Sequence, residues 1–383
     1  MKKFMEKVSI LSLSLVLTTS FSISSAQSAM FAYYKDLPES WIELLVSLPS
    51  AGIMLMLVLN GLVEKYLSER KMIVTGLLIF SLCGFVPLVN KAYWVIFASR
   101  LIFGMGVGLL NAKAISIISE RYEGKERIQT LGLRGSAEVV GTALLTLGVS
   151  QLLHFGWEIS FLVYASGLIV LALYLFFVPY GKEEKHHETH QEGKGLTAAQ
   201  WFLTIGLALV AAVIVLTNVV INVRVPGLVE KSGMGSVQTA GLILSTMQLI
   251  GIAAGLSFAP LLHYFKENLL TVAGVAFGLT SIMIGLTPNL LLLSVVTIAS
   301  GFVYSVSLTS IFHILSERIP SKSLNQATSI VILGCSAGAT ATTFFLSLIS
   351  QFSSQASFIF GVLGSLMVLM AVLAFGILKK KSA

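Results

Sequence analysis

Ser119-Glu120-Arg121 closes one long apolar stretch of the chain, and Ser316-Glu317-Arg318 closes another 197 residues later. At the same offset Gln129 meets Gln326, Gly104 meets Gly301 and Gly141 meets Gly338. At an offset of 198, Leu44, Ser47, Tyr66, Glu69 and Gly76 meet Leu242, Ser245, Tyr264, Glu267 and Gly274. The two halves are copies of one another. A duplicated, very apolar chain with short charged connectors has the build of a carrier that rocks one half against the other around a central site.

Apolar residues make up 55% of the 383 and charged residues 11%, and the mean hydropathy is +0.88. Soluble domains average about 25% charged residues, so the chain is expected in a lipid bilayer. A spanning helix takes roughly 20 apolar residues because every backbone amide must find its partner inside lipid. Twelve stretches qualify: 8–33, 41–63, 72–89, 93–118, 128–153, 157–180, 199–222, 236–262, 269–287, 290–315, 324–350 and 355–378. The expected fold is therefore all-α, with two pseudo-symmetric six-helix bundles at 1–180 and 199–383 joined by a linker at 181–198.

With the amino terminus inside, the internal segments collect 18 Lys and Arg and the external ones 4, namely Lys35, Lys91, Arg224 and Lys231. That bias places both ends in the cytoplasm. The net charge of +7 then reflects topology, and nucleic acid is not expected as a partner. Cys83 and Cys335 both fall inside apolar stretches and carry no disulfide or metal argument. The linker sequence Lys182–Gly195 contains His186, His187 and His190. Without an accompanying ligand set it reads as a solvated connector and not as a metal site. Lys2, Lys3, the apolar run from Val8 and Ser24-Ser25-Ala26 imitate a secretory signal with its cleavage site. The repeat, however, needs this segment as the counterpart of 199–222, so it is expected to stay as the first span.

Twelve spans in two sixes with a cytoplasmic linker resemble the major facilitator superfamily. Between spans two and three that family has a glycine, an acid and a basic cluster, where this chain has Gly61-Leu62-Val63-Glu64-Lys65-Tyr66-Leu67-Ser68-Glu69-Arg70-Lys71. Two registers are open: with Gly61 first, Lys65 stands where the acid belongs; one residue over, Glu64 is the acid. The resemblance implies a gating role for Gly61, Glu64, Lys65 and Arg70. In span four the family's arginine and spaced glycines match Ser99-Arg100-Leu101-Ile102-Phe103-Gly104-Met105-Gly106-Val107-Gly108, which implies that Arg100 faces a central cavity. In span five, exporters of the family often carry a glycine-proline pattern. Gly132 and Gly141 fit its spacing, but no proline follows in Thr142–Gly148.

An ionisable group at mid-bilayer costs at least about 2.5–3.5 kcal/mol, so the few present are candidates for function. Glu138 lies about 15 Å into its span, and Arg134 sits one turn away on the same face. Either the two lock each other, or a substrate or proton competes for one of them. Arg100 shares a face with Gly104, Val107 and Asn111; it either serves the cavity or clamps backbone carbonyls. Lys113 is close enough to the span end to snorkel. At the repeat offset Arg100, Arg134 and Glu138 become Thr297, Val331 and Cys335, so the second half offers neutral groups, Asn218, Asn222, Gln248 and Gln326. Thr18, Ser22 and Ser25 form a hydroxyl stripe in span one that suits either a cavity wall or helix packing.

The expected activity is secondary active transport of a small organic solute by alternating access, coupled to protons and in the export direction. An apolar cavity with one carboxylate suits hydrophobic or cationic cargo. The alternative is uptake of a small anion, since Arg100 and Arg134 outnumber Glu138. No cofactor is called for, a monomer is expected, and no phosphate loop, metal cluster or nucleophile with a base suggests an enzyme.

Overall fold

The computed structural model describes residues 2–17, 19–64, 66–122, 124–179 and 196–379. The linker with His186, His187 and His190, and also Thr18 and Lys65, lie outside the described residues. Described elements are helical throughout, with no strand among them. They are α1 (Lys2–Ser12), α2 (Gln27–Tyr33), α3 (Glu39–Val63), α4 (Glu69–Val89), α5 (Tyr93–Arg121), α6 (Gly124–Leu152), α7 (Ser166–Phe177), α8 (Ala198–Lys231), α9 (Val237–Phe265), α10 (Leu269–Leu286), α11 (Leu290–Arg318), α12 (Ser321–Ser350) and α13 (Ala356–Lys379).

Among the described residues ten helical stretches are long and apolar enough to cross a membrane. One of them, Val237–Leu286, is 50 residues long, about 75 Å at 1.5 Å per residue and far more than a hydrocarbon core of about 30 Å. It is two crossings, broken at the 3-10 turn Lys266–Asn268, where Lys266 takes a left-handed φ of 51°. The pair Lys3–Val16 and Thr19–Tyr33, bent by 49°, supplies one more, so the architecture agrees with the twelve-span expectation.

Two boundaries differ from the sequence reading. The first span is not one α-helix: after α1 come 3-10 segments at Leu13–Val16 and Thr19–Ala26. Serine and threonine hydroxyls bonding their own backbone explain this, with Ser12 Oγ donating to Ser9 O at 2.8 Å and Thr19 Oγ1 to Val16 O at 2.9 Å. Such bonds to the i−3 carbonyl compete with the α-ladder and favour the tighter winding. Second, α8 continues to Lys231, so Arg224 and Lys231, expected in an external loop, belong to the helix. A capping box at Thr197 and Gln200 starts α8.

Contacts divide the chain into two compact units, Met1–Glu184 with Ser236–Ser245, and Lys185–Gly235 with Thr246–Ala383. The repeat glycines show why the two sequences were read as copies. In the first unit a Cβ on Gly104 would run into the backbone of Pro49 in α3, and one on Gly141 into the backbone of Leu15. In the second unit Gly301 meets the backbone of Met247 in α9 and Gly338 that of Ala212 in α8. Met247 and Ala212 lie 198 and 197 residues beyond Pro49 and Leu15. The duplicated glycines thus hold the same helix crossings at backbone contact in each unit, the close approach that small residues give membrane helices. One end of the first unit carries the rings of Tyr33, Tyr34, Trp41, Tyr93, Trp94 and Trp157 in mutual contact, the composition of a membrane–water interface.

Candidate functional site

Arg100 is fully buried, at 0% exposure. Its Nε donates to Leu45 O at 3.1 Å, Nη2 to Ser20 O at 2.9 Å and Nη1 to Tyr164 Oη at 3.4 Å. The Leu45 carbonyl needs that donor for a definite reason. Its ordinary helical partner is the amide of residue 49, which is a proline inside α3 and has no N–H. The guanidinium also lies over the rings of Phe103 at 4.6 Å, Tyr164 at 5.5 Å and Phe161 at 5.9 Å. Arg100 thereby ties α5 to α3, to the 3-10 part of the first span and to the 3-10 segment Ile159–Ala165. In each contact it faces protein backbone and rings.

Arg134 and Glu138 form an ion pair at 2.5 Å, with side chains 16% and 21% exposed. Glu138 is the central residue of α6, fourteen residues from Gly124 and fourteen from Leu152. Above it the stripe continues at four-residue spacing. Thr142 Oγ1 donates to Glu138 O at 2.8 Å, Thr146 Oγ1 to Thr142 O at 2.8 Å and Ser150 Oγ to Thr146 O at 2.9 Å. The hydroxyl part of this stripe escaped the sequence reading, although the i, i+4 spacing of Arg134, Glu138, Thr142, Thr146 and Ser150 carries it. The helix packs against the serine-rich 3-10 segment Thr19–Ala26, where the hydroxyls of Ser20, Ser22, Ser24 and Ser25 are buried without a hydrogen-bond partner among the described residues.

In the second unit the neutral candidates come together. Asn222 Nδ2 donates to Asn218 O at 2.8 Å along α8, and Gln248 Nε2 of α9 approaches Asn222 Oδ1 at 3.5 Å. Asn111 belongs to the first unit, half-buried on α5.

Of the residues expected to gate, Gly61 lies in the last turn of α3 and Glu64 caps it. Glu64 Oε1 accepts from Asn60 Nδ2 at 2.8 Å and pairs with Lys113 Nζ at 2.8 Å. Lys113, close enough to the span end to snorkel, is a 14% exposed partner of Glu64. Arg70 Nη1 donates to Val178 O at 3.3 Å, its guanidinium 5.9 Å from the Tyr174 ring. Glu43, which the sequence reading did not single out, is 2% exposed on α3. Its signal is the spacing Glu43, Ser47, Ser50, all three buried.

Two bundles built on one repeat, with a buried arginine anchored in the first, leave the family to be settled by comparison. A family model described as the Major Facilitator Superfamily matches residues 4–290. The chain belongs to the major facilitator superfamily. The Protein TsgA homolog of Yersinia pestis (strain Pestoides F) is 22% identical over 320 residues, 82% of this chain and 79% of that protein. The crystal structure of a D-xylose-proton symporter superposes with a TM-score of 0.79 at 16% identity, covering 98% of each chain. A POT family transporter in complex with a thioalcohol-conjugated peptide superposes at 0.80 with 13% identity, covering 98% of this chain and 96% of that one. At these identities the solved structures establish the superfamily fold. Membership makes the chain a multi-pass membrane transporter.

Proposed function

We propose that the chain is a proton-coupled exporter of small apolar or cationic organic solutes, working as a monomer in the plasma membrane with both termini in the cytoplasm. The supporting observation is the Arg134–Glu138 pair at the centre of α6, continued by the hydroxyl stripe Thr142, Thr146 and Ser150. A lone buried charge in a spanning helix is costly, and a paired one is less so. Protonation of Glu138 would break the pair and leave Arg134 to seek another acceptor. Occupancy by a proton or by a cationic solute would thereby change which packing of the helix is favoured. In this reading the bundles 1–180 and 199–383 alternate about the linker 181–198. The second unit contributes the neutral hydrogen bonds of Asn218, Asn222 and Gln248, and Asn111 offers another from α5. Arg100, saturated by backbone and rings, holds the first bundle together. The gating role expected of Gly61, Glu64, Lys65 and Arg70 is supported by the Glu64–Lys113 pair and by the bond from Arg70 to Val178 O.

A second reading, uptake of a small anion, is favoured by Arg134 Nε, which is buried without a hydrogen-bond partner among the described residues. A guanidinium edge of that kind suits a carboxylate or a similar anion. Proteoliposomes separate the two. Dye efflux driven by a proton gradient and lost in Glu138→Gln supports export. Saturable anion uptake lost in Arg134→Gln and kept in Glu138→Gln supports the second reading and refutes the first.

A further inference from the structure

Every hydroxyl of the α6 stripe beyond Glu138 commits its hydrogen to its own helix. Thr142 Oγ1 donates to Glu138 O, Thr146 Oγ1 to Thr142 O and Ser150 Oγ to Thr146 O. A hydroxyl has one hydrogen and two lone pairs, so toward its surroundings each of these oxygens can accept and cannot donate. The Glu138 carboxylate, paired with Arg134, likewise only accepts. The stripe is therefore sorted by chemistry: Arg134 supplies hydrogens at its amino-terminal end, and from Glu138 onward it offers acceptors. Its accessible part is short. The Arg134 and Glu138 side chains are 16% and 21% exposed and Thr142 is half-buried, whereas Thr146 and Ser150 are 1% and 0% exposed. Four residues of helix rise about 6 Å, so Glu138 and Thr142 lie one turn apart on one face, within reach of a single small charged group.

We propose that the group recognised at Glu138 and Thr142 is a protonated amine that still carries at least one N–H, and that fully alkylated ammonium ions are discriminated against. This rests on the export reading, in which a cationic solute meets Glu138, and narrows its substrate class. The ammonium charge pairs with the carboxylate, one N–H is donated to Glu138 and a second, where the amine has it, to Thr142 Oγ1. A quaternary ion keeps the Coulomb attraction and has no hydrogen to give. With it, Glu138 exchanges the hydrogen-bonding guanidinium of Arg134 for a cation that makes no hydrogen bond, and the oxygen of Thr142 gains nothing.

The test is thermal unfolding of the full chain in phosphatidylcholine nanodiscs at neutral pH, with three probes built on one apolar ring: benzylamine, N,N-dimethylbenzylamine and benzyltrimethylammonium. All are cations there, and they differ in how many N–H groups they keep. The half-saturating concentration should rise about tenfold or more from the tertiary amine to the quaternary ion, the effect of losing a charge-assisted bond. Benzylamine should bind more tightly than its dimethyl derivative. Thr142→Val, which keeps the shape and removes the oxygen, should erase that second difference while leaving the first, and Glu138→Gln should weaken all three probes. If Thr142→Val does not fold, Thr142→Ala decides by the same criterion, and the order of the three probes on the wild type needs no variant. Equal stabilisation of the wild type by all three overturns the proposal and leaves the export of cations standing. Stabilisation by none of them overturns both. A Thr142 variant that ranks the probes as the wild type does overturns the part given to Thr142.

Discussion

Replacing Arg100 by methionine removes the donor to two buried backbone carbonyls, Leu45 O and Ser20 O. Each carbonyl left without a partner costs about 1–3 kcal/mol, so the pair sets a penalty of about 2–6 kcal/mol. An opposing term exists, because methionine also relieves the desolvation of a buried cation, which amounts to several kcal/mol. The single variant therefore does not isolate the clamp; a second change does. Pro49→Ala returns an N–H to α3 at the position that serves Leu45 O. In the Arg100→Met background it should recover about 1 kcal/mol or more. In the wild type, where Arg100 already serves that carbonyl, it should bring no gain. Unfolding followed by tryptophan fluorescence in detergent gives the four stabilities of this double-mutant cycle. A coupling within about 0.5 kcal/mol of zero would refute the assignment of Arg100 as the surrogate donor for the proline gap.

Gly104→Leu and Gly301→Leu should each abolish folded expression, since even a Cβ meets backbone at both sites. Gly135→Ala, with nothing within 4 Å of the added carbon, should be neutral or stabilising by up to about 1 kcal/mol; fluorescence-detected size exclusion after heating separates these outcomes. The Lys113–Glu64 pair, 14% and 41% exposed, should show a coupling of about 1 kcal/mol or less in a cycle of Lys113→Met and Glu64→Gln. In the loops, the Lys91 ammonium donates to Glu158 and holds its carboxyl below the usual range, while Glu158 raises Lys91. The Glu158 contribution is then complete above its unfolded pKa of about 4.3 and is lost as pH falls through its lower folded value. The Lys91 contribution is complete below its unfolded pKa of about 10.4 and is lost as pH rises through its folded value. Glu158→Gln should therefore lower the melting temperature at neutral pH and converge with the wild type in acid. A constant gap down to about pH 3 would contradict the pairing.

Composition and the 197-residue repeat carried the architecture, because lipid permits few ways of satisfying a backbone and the duplicated glycines sit at crossings that admit no side chain. The serine-rich first span misled, since hydropathy counts apolar residues and is blind to hydroxyls that rewind the backbone. Arg134 and Glu138 were legible as a pair because their spacing alone brings them together. The partners of Arg100 were not, as Leu45 and Ser20 contribute carbonyls that every residue has; the clue was Pro49, which removes a donor four residues after Leu45. Lys113 and Glu64 meet across two helices, a contact that no spacing within one helix announces.

The central claim is that Glu138 carries the proton that drives transport. Proteoliposomes loaded with a pH-sensitive dye, together with a solute that the wild type moves, test it most directly. Wild-type protein should move protons in step with the solute, and Glu138→Gln should keep solute exchange at zero gradient while losing proton movement and net accumulation. Proton-coupled accumulation that persists undiminished in Glu138→Gln would contradict the account.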